Sequence, residues 1–590
     1  MSEHDDRRRP RTGGDGAPGG RGRRDDRSAE RPHDDRSHDR RDDRRDDRRD
    51  DRRDDRRDDR RDDSSAQGTG RVSHGGQARY SDPARRSAQR PSERRRQADP
   101  ARRVAFASLR AISDGAYANL DLPGRLRDAR LGARDAAFAT ELVYGVTRMR
   151  GFYDAVIARG AGRDVEKIDA PVLDALRLGA HQLLGMRVPA HAAVDATVGL
   201  VRSEIGAGPA SFTNAVLRRV SERSAERWRD LLAPHADLPA DDAGSERLDL
   251  EDVAVAHSHP AWIVRALRTA LLAHGTSTPD TVDADLLAVL RADNHPADVA
   301  LVARPGLVDP EELLEAGGRP GPYAPTAVVL DRGGDPGRFR AVREGRAAVQ
   351  DEGSQLLVHA LVRAYDDLTA GRVDDPAASP DGPRWLDLAA GPGGKAALLA
   401  ALSIPRGAQL FCNEVSEHRA ELVESTLGAA MDAGAEVFVG VGDGRGVGAE
   451  EPDSFDLVLL DAPCTGLGAL RRRPDARWRR VPADVADLTA LQEELLVSAL
   501  GALRPGGVLA YATCSPHDAE TLQVLRRVLA TRDDVRLLDA PAYLDAAAVT
   551  PLPDLRPRID AGDLAARTVQ LWPHRHGTDA MFLALLARDR

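Results

Sequence analysis

Apolar residues are nearly missing from the first 97 positions, and beyond them they recur in three successive patterns. The opening stretch is low in complexity and repeats Arg-Arg-Asp-Asp from Arg40 to Asp63. That period sets like charges at i and i+4, which opposes a helix, and leaves almost nothing to bury. Residues 1–97 are therefore predicted to be a disordered, charged tail. A self-neutralising, solvated segment is favoured over one that touches RNA or ribosomal proteins.

From about Asp99 to Ser224 the spacing is helical. Val104, Ala105, Leu109 and Ile112 share one helix face, as do Phe138, Leu142, Val143 and Val146. Pro171 to Ala180 reads as a helix with proline at its start, and Ser211 to Val220 as an amphipathic helix with a basic tip. With no strand signal between them, residues 98–225 are predicted to be all-α. Residues 226–383 mix the two periods. A helix opens at His259–Val264 and another runs over Pro310–Ala316, with strands at Asp298–Ala303 and Thr326–Leu330, making a small α/β module. From Arg384 strand and helix alternate. Strands are predicted at Trp385–Ala389, Gln409–Asn413, Glu436–Val439, Phe455–Leu460, Val508–Thr513 and Met581–Leu586. Residues 384–590 thus read as a Rossmann-like α/β domain, a parallel sheet covered by helices on both faces.

Composition changes this picture little. The net charge of −10 over 590 residues does not by itself suggest a nucleic-acid partner, but charge distribution matters more than the sum. The three cysteines, Cys412, Cys464 and Cys514, form no CxxC pair, and no histidine cluster has zinc-ligand spacing. No metal is expected, and reduced thiols fit a cytosolic enzyme. No signal-peptide core and no membrane-length apolar run occurs, so the expected location is cytoplasmic.

The chemistry gathers at the carboxyl ends of the strands, where such sheets bind ligands. After the first strand comes Ala389-Ala390-Gly391-Pro392-Gly393-Gly394-Lys395. Its glycines let backbone approach a ligand. Alanine at 389 and 396 argues against an ATP-binding loop, while a dinucleotide fingerprint survives on the loop alone. Glu414, about 20 residues on, suits ribose hydroxyls. Asp443, in Gly442-Asp443-Gly444, suits an adenine amino group or is plain turn chemistry. Asp461-Ala462-Pro463-Cys464 follows the fourth strand and Thr513-Cys514-Ser515 the fifth. Two cysteines at adjacent strand ends, beside a carboxylate, favour a reactive site over two buried small residues.

Those two motifs resemble the motif pair of RNA cytosine-5 methyltransferases of the RsmB/Nop/Sun type. Gln350-Asp351-Glu352-Gly353-Ser354-Gln355 resembles the segment preceding their catalytic domain. Arg473-Pro474-Asp475-Ala476-Arg477-Trp478 resembles the RsmB branch, and the helical front resembles a NusB domain. The resemblance covers about residue 98 to the end. It implies that residues 226–383 are a linker and RRM-like module, and that S-adenosyl-L-methionine is the methyl donor. It also implies roles. Ala389, Ala390, Gly391, Pro392, Gly393, Gly394 and Lys395 contact the cofactor, Glu414 its ribose and Asp443 the adenine. Asp461 lies near the methionine portion and the target base. Cys514 is the nucleophile and Cys464 assists release. Where the family has Cys-Ala-Ala-Pro, this chain has Ala389, Ala390 and Gly391 before Pro392. The implied partner is RNA, a cytosine in small-subunit ribosomal RNA, with a transfer RNA or another RNA as the alternative, and the protein is expected to act as a monomer. Two rivals remain: a NusB-like RNA-binding protein with a degenerate catalytic half, and an NAD-type oxidoreductase, which has no use for the cysteines. Arg471, Arg472, Arg473, Arg477, Trp478, Arg479 and Arg480, just beyond Cys464, are expected to contact RNA phosphates and bases.

Overall fold

A computed structural model describes residues 99–237, 248–330, 334–370 and 382–590. The tail expected over residues 1–97 lies outside them. The first described helix, Pro100–Ser113, starts where the periodicity begins: Asp99 accepts a hydrogen bond from the Arg102 amide at 3.0 Å, and proline occupies the first turn. Helices follow at Ala118–Ala129, Ala133–Arg148, Arg150–Ala161, Ala170–Leu184, Ala190–Glu204 and Ala210–Val220. Their apolar faces close on Ala105, Leu109, Leu142, Val143 and Val146, and on a second cluster around Tyr153, Leu176 and Trp228. Among the described residues of this front part there is no strand.

Helices Ala225–Leu232, Leu250–Ala256, Ala261–Ala273 and Val282–Asp293 come next, and their core includes Leu467, Leu470 and Trp572 from the last third of the chain. A four-stranded antiparallel sheet follows, built from β1 (Ala300–Ala303), β2 (Gly318–Pro320), β3 (Ala327–Leu330) and β4 (Ala347–Val349) in the order β2-β3-β1-β4. With short helices at Pro310–Glu315 and Arg340–Arg343 this is a βαββαβ unit, the RRM-like topology. An RNA-binding sheet of that kind stacks bases on exposed aromatics. Here β1 and β3 are buried throughout and carry none. One set of their side chains packs with Leu313 and Phe339, the other with Leu356 and Leu361 of helix Glu352–Thr369. The module is therefore a structural bridge. That helix is capped by Asp351 and buries its apolar face with Trp385, Leu398 and Ala510 of the large sheet.

The large sheet comprises β5 (Arg384–Asp387), β6 (Gln409–Glu414), β7 (Val437–Val441), β8 (Phe455–Asp461), β9 (Leu503–Thr513), β10 (Val535–Leu537), β11 (Val569–Gln570) and β12 (Phe582–Arg588). Their order is β10-β12-β9-β8-β5-β6-β7, with β11 paired to β12. β5 to β9 are mutually parallel, whereas β12 runs antiparallel to β9, β10 and β11. The pattern found six of these strands but placed β9 from Val508, five residues late, because Arg504-Pro505-Gly506-Gly507 reads as a turn. It missed β2, β4, β10 and β11, each two or three residues long and too short to show a period. The order reverses at β5, so a crevice opens between the ends of β5 and β8.

Candidate active site

The turn after β5 is shaped by two glycines. Gly391 has φ +57° and Gly393 φ +89°, and a Cβ on Gly393 would stand 3.1 Å from Thr426 Cβ and 3.2 Å from Val423 Cα. Only glycine fits both demands. The Gly391 amide donates to Glu414 Oε2 at 3.0 Å, and the Ala390 amide to the Asn413 carbonyl at 3.0 Å, which ties the turn to the end of β6. Glu414 is only 4% exposed. Its Oε1 also accepts from the Ser416 amide and from Arg419 at 2.6 Å. Asp443, beyond β7, is held by Arg445 through paired contacts of 2.6 and 3.0 Å, which lower its carboxyl to about 2.

A cleft of about 750 Å³ connects these groups, a size suited to a small-molecule ligand. Ala389, Gly391, Glu414, Asp443, Asp461, Cys464 and Cys514 line it. Ala390, Pro392, Gly393, Gly394 and Lys395 are not among its wall residues; they build the turn and start helix Gly394–Ser403. Lys395 Nζ nevertheless reaches Asp461 Oδ2 at 2.7 Å. Burial works against its charge, but Asp461 outweighs burial and the Lys395 pKa is raised.

Cys464 and Cys514 face each other with their sulfurs 3.4 Å apart. A hydrogen bond from Cys464 holds the Cys514 thiol below its ordinary value, helped by Lys395 and Arg473 against burial and Asp461. Cys464 is pushed well up by the same contact, by burial and by the charges of Cys514, Glu520 and Asp461. The two thiols are thus shifted in opposite directions, Cys514 down and Cys464 up. Cys514 is also fixed from behind, since its carbonyl accepts from the Gly468 amide at 2.8 Å, and a Cβ on Gly468 would meet that carbonyl at 2.8 Å. Cys412 lies in the core, 2% exposed, its thiol raised by burial.

Three residues at the site escaped the sequence reading. Glu520 is fully buried and accepts hydrogen bonds from Thr465, Ser515 and Gln492. It lies only six residues past Cys514, but nothing in its spacing marks it. Asp387, at the end of β5, is 1% exposed and its carboxyl rises to about 7, mainly through burial and then through Asp461. Tyr117 comes from the helical front, more than 270 residues away in sequence from the glycine turn, and lines the cleft while half exposed. Arg479 lies over its ring at 4.3 Å and donates to the carbonyls of Gly115 and Ala116.

The arginine-rich stretch needs a correction. Arg477 is completely buried and donates to the carbonyls of Arg148, Ser258 and Asp293 and to Asn294 Oδ1. Trp478 Nε1 donates to the Thr147 carbonyl at 2.7 Å. Arg471 and Arg472 both bind Asp351 and Asp579. These residues clamp the helical front and the bridge onto the catalytic sheet, so they are not available to RNA. Arg473 is exposed and lines the cleft, as does Arg480. Among the described residues no cluster of metal-ligating side chains occurs, and no helix is long and apolar enough to cross a membrane.

Residues 377–587 match the family described as 16S rRNA methyltransferase RsmB/F, and residues 99–222 match the NusB family. A Mycobacterium tuberculosis (strain H37Rv) protein named as a methyltransferase is 48% identical over 498 residues, 84% of this chain and 98% of its own length. The ribosomal RNA small subunit methyltransferase B of Pseudomonas putida is 30% identical over 74% of this chain and 91% of its own. The crystal structure of PH0851 shares the fold at 21% identity, with a TM-score of 0.63, covering 83% of this chain and 99% of that one. The NAD-type reading falls with these matches. The chain belongs to the RsmB/F family of S-adenosylmethionine-dependent RNA methyltransferases, with a NusB-family domain in front of the catalytic sheet.

Proposed function

We propose that the protein methylates carbon 5 of one cytosine in small-subunit ribosomal RNA, through a transient bond between Cys514 and carbon 6. The observation that carries this is the thiol pair, 3.4 Å apart, in the same cleft as the Lys395–Asp461 pair and the glycine turn. Bound S-adenosylmethionine supplies an electrophilic methyl on a sulfonium. Glu414 and Asp443, both on the cleft wall, would hold its ribose and adenine, and the Gly391 turn would let backbone approach it. Carbon 5 of cytosine is a poor nucleophile in an aromatic ring. Addition of the Cys514 thiolate to carbon 6 breaks the conjugation and makes carbon 5 electron-rich enough to take the methyl. One oxygen of Asp461 is held by Lys395, leaving the other to meet the cytosine edge as charge builds there. After carbon 5 loses its proton to water in the cleft, the carbon–sulfur bond breaks and Cys514 leaves as thiolate. The Cys464 thiol is placed to hydrogen-bond that departing sulfur.

A base within a duplex cannot reach such a cleft, so the target is unpaired or flipped. Arg473 and Arg480 supply positive charge at the wall, and Tyr117 an aromatic face for a neighbouring base. The names of the relatives support ribosomal RNA as substrate. Bisulfite sequencing of RNA from cells with and without the gene tests the reading. One small-subunit rRNA cytosine should lose its signal, and wild type but not Cys514→Ala should restore it. Loss confined to transfer RNA would keep the chemistry and overturn the substrate. No change in any RNA cytosine would overturn both.

A further inference from the structure

Glu520 is a buried carboxylate whose position only makes sense in relation to the two cysteine loops. It is 0% exposed, and a charge so placed is costly unless every lone pair is engaged. Here Oε1 accepts from the Thr465 amide at 2.7 Å and Gln492 Nε2 at 3.3 Å. Oε2 accepts from the hydroxyls of Thr465 at 2.5 Å and Ser515 at 2.6 Å. Thr465 follows Cys464, Ser515 follows Cys514, and the two hydroxyls are 3.1 Å apart. One carboxylate therefore grips the residue after each reactive thiol. Gln492 extends the grip by donating to the Pro463 carbonyl at 2.8 Å, and the Tyr511 hydroxyl donates to the Glu520 carbonyl at 2.7 Å.

We propose that Glu520 is a positioning residue that holds the two cysteine loops in register and keeps their shared proton on Cys464, leaving Cys514 as the attacking thiolate. The asymmetry comes from which charges face which sulfur. Lys395 from the helix after the glycine turn and Arg473 from the clamp segment act on Cys514, opposed by Asp461 at the end of β8. Glu520 meets the Cys464 loop through the Thr465 amide and hydroxyl and, by way of Gln492, the Pro463 carbonyl, but the Cys514 loop only through the Ser515 hydroxyl, and with Asp461 it raises Cys464. Arg480 reaches the backbone carbonyl of Cys464 rather than its sulfur. On the Glu520 side lie Tyr511 of β9 and the turn residues His517 and Asp518. Removing the Glu520 charge therefore releases the proton of Cys464 more than that of Cys514.

This rests on Cys464 and Cys514 being the reactive pair, not on the identity of the methylated base. It is tested without RNA or cofactor. The full-length protein is treated with iodoacetamide between about pH 6.5 and 9, and alkylation of each cysteine is followed by mass spectrometry. Cys412, buried in the core, reports on the fold by staying unmodified. In wild type, Cys514 should react at least about tenfold faster than Cys464 near neutral pH, because the thiolate is the form that alkylates. Glu520→Gln is close to an isostere: an amide nitrogen at the Oε2 position can donate to the two hydroxyls, which accept as well as donate. It should cut the preference about tenfold with Cys412 silent. Glu520→Asp shortens the grip but keeps the charge, and should retain most of the preference. A preference unchanged within about twofold in a folded Glu520→Gln protein overturns the proposal, because a purely structural tether would survive that change. If Glu520→Gln exposes Cys412, wild type and Glu520→Asp decide, and faster alkylation of Cys464 in wild type overturns the proposal. A failure here leaves the bisulfite result standing, and a changed RNA target leaves the alkylation order standing.

Discussion

Replacing Arg477 by alanine separates a clamp from an RNA contact. Arg477 is 0% exposed and donates to three carbonyls and an amide oxygen at 2.9 to 3.2 Å, drawn from the helical front and the middle helices. Truncation leaves those acceptors in a buried space that the guanidinium filled. It also removes one of the two cations, with Arg471, that oppose the upward shift of Asp293, whose carboxyl burial pushes to about 7. Part of the loss is offset, because burial disfavours the Arg477 charge and lowers its pKa to about 9. Leaving a buried acceptor without its donor costs about 1–3 kcal/mol, so after partial relaxation the four acceptors together cost about 3–5 kcal/mol. With a urea slope near 3 kcal/mol per M, the unfolding midpoint falls by about 1–1.7 M. Tryptophan fluorescence reads that transition, since Trp478 lies on the same interface. Arg473→Ala is the control. Exposed at the cleft wall, it should shift stability by less than about 0.5 kcal/mol. It should weaken RNA binding at every sequence tested and reduce the salt slope by about 1. An Arg477→Ala protein with an unmoved midpoint and weakened RNA binding would refute the clamp and restore the surface reading of the arginine stretch.

Other outcomes follow from the same geometry. Cys464→Ala should accumulate a covalent RNA–enzyme complex on denaturing gels, whereas Cys514→Ala should form none; equal loss in both would contradict the division of labour. Glu414→Ala should weaken S-adenosylmethionine binding at least about tenfold by calorimetry, because it removes the anchor of the Gly391 amide and, on the proposed function, the ribose acceptor. Tyr117→Ala should raise KM for RNA about tenfold with little change in kcat, the scale of one lost stacking contact, and Tyr117→Phe should behave as wild type. His274 is buried and hydrogen-bonded to Thr521, and burial lowers its imidazole to about 4. The unfolded chain takes up this proton as pH falls through about 6.5 and the folded chain does not until about 4, so wild type loses stability across that window. Urea midpoints of wild type should drop more than those of His274→Gln between about pH 7.5 and 5; parallel curves would refute the shift.

Much of the protein was legible in one dimension because the signals are local. Helical spacing at Val104, Leu109 and Ile112 marks a buried stripe wherever the helix docks, and β8 announces itself as six consecutive buried residues from Phe455 to Leu460. The turn from Ala389 to Lys395 and the two cysteine motifs are contiguous, so they could be singled out before any contact was known. Local sequence does not carry partners. Arg471, Arg472 and Arg477 look like a basic surface because arginine usually is one; only their carboxylates and carbonyls, contributed from up to 329 residues away, make them a clamp. Glu520 carries no motif signal, since its role is defined by Thr465 and Ser515, which the parallel pairing of β8 and β9 brings to one point. Tyr117 reaches the cleft only because the helical front is clamped against the catalytic sheet. The sequence determined which main elements form and which short motifs stand at the strand ends, for both depend on neighbouring residues. Tertiary structure alone decided which charges are buried, which arginines meet solvent and which two thiols face each other, since those depend on distances between segments far apart along the chain.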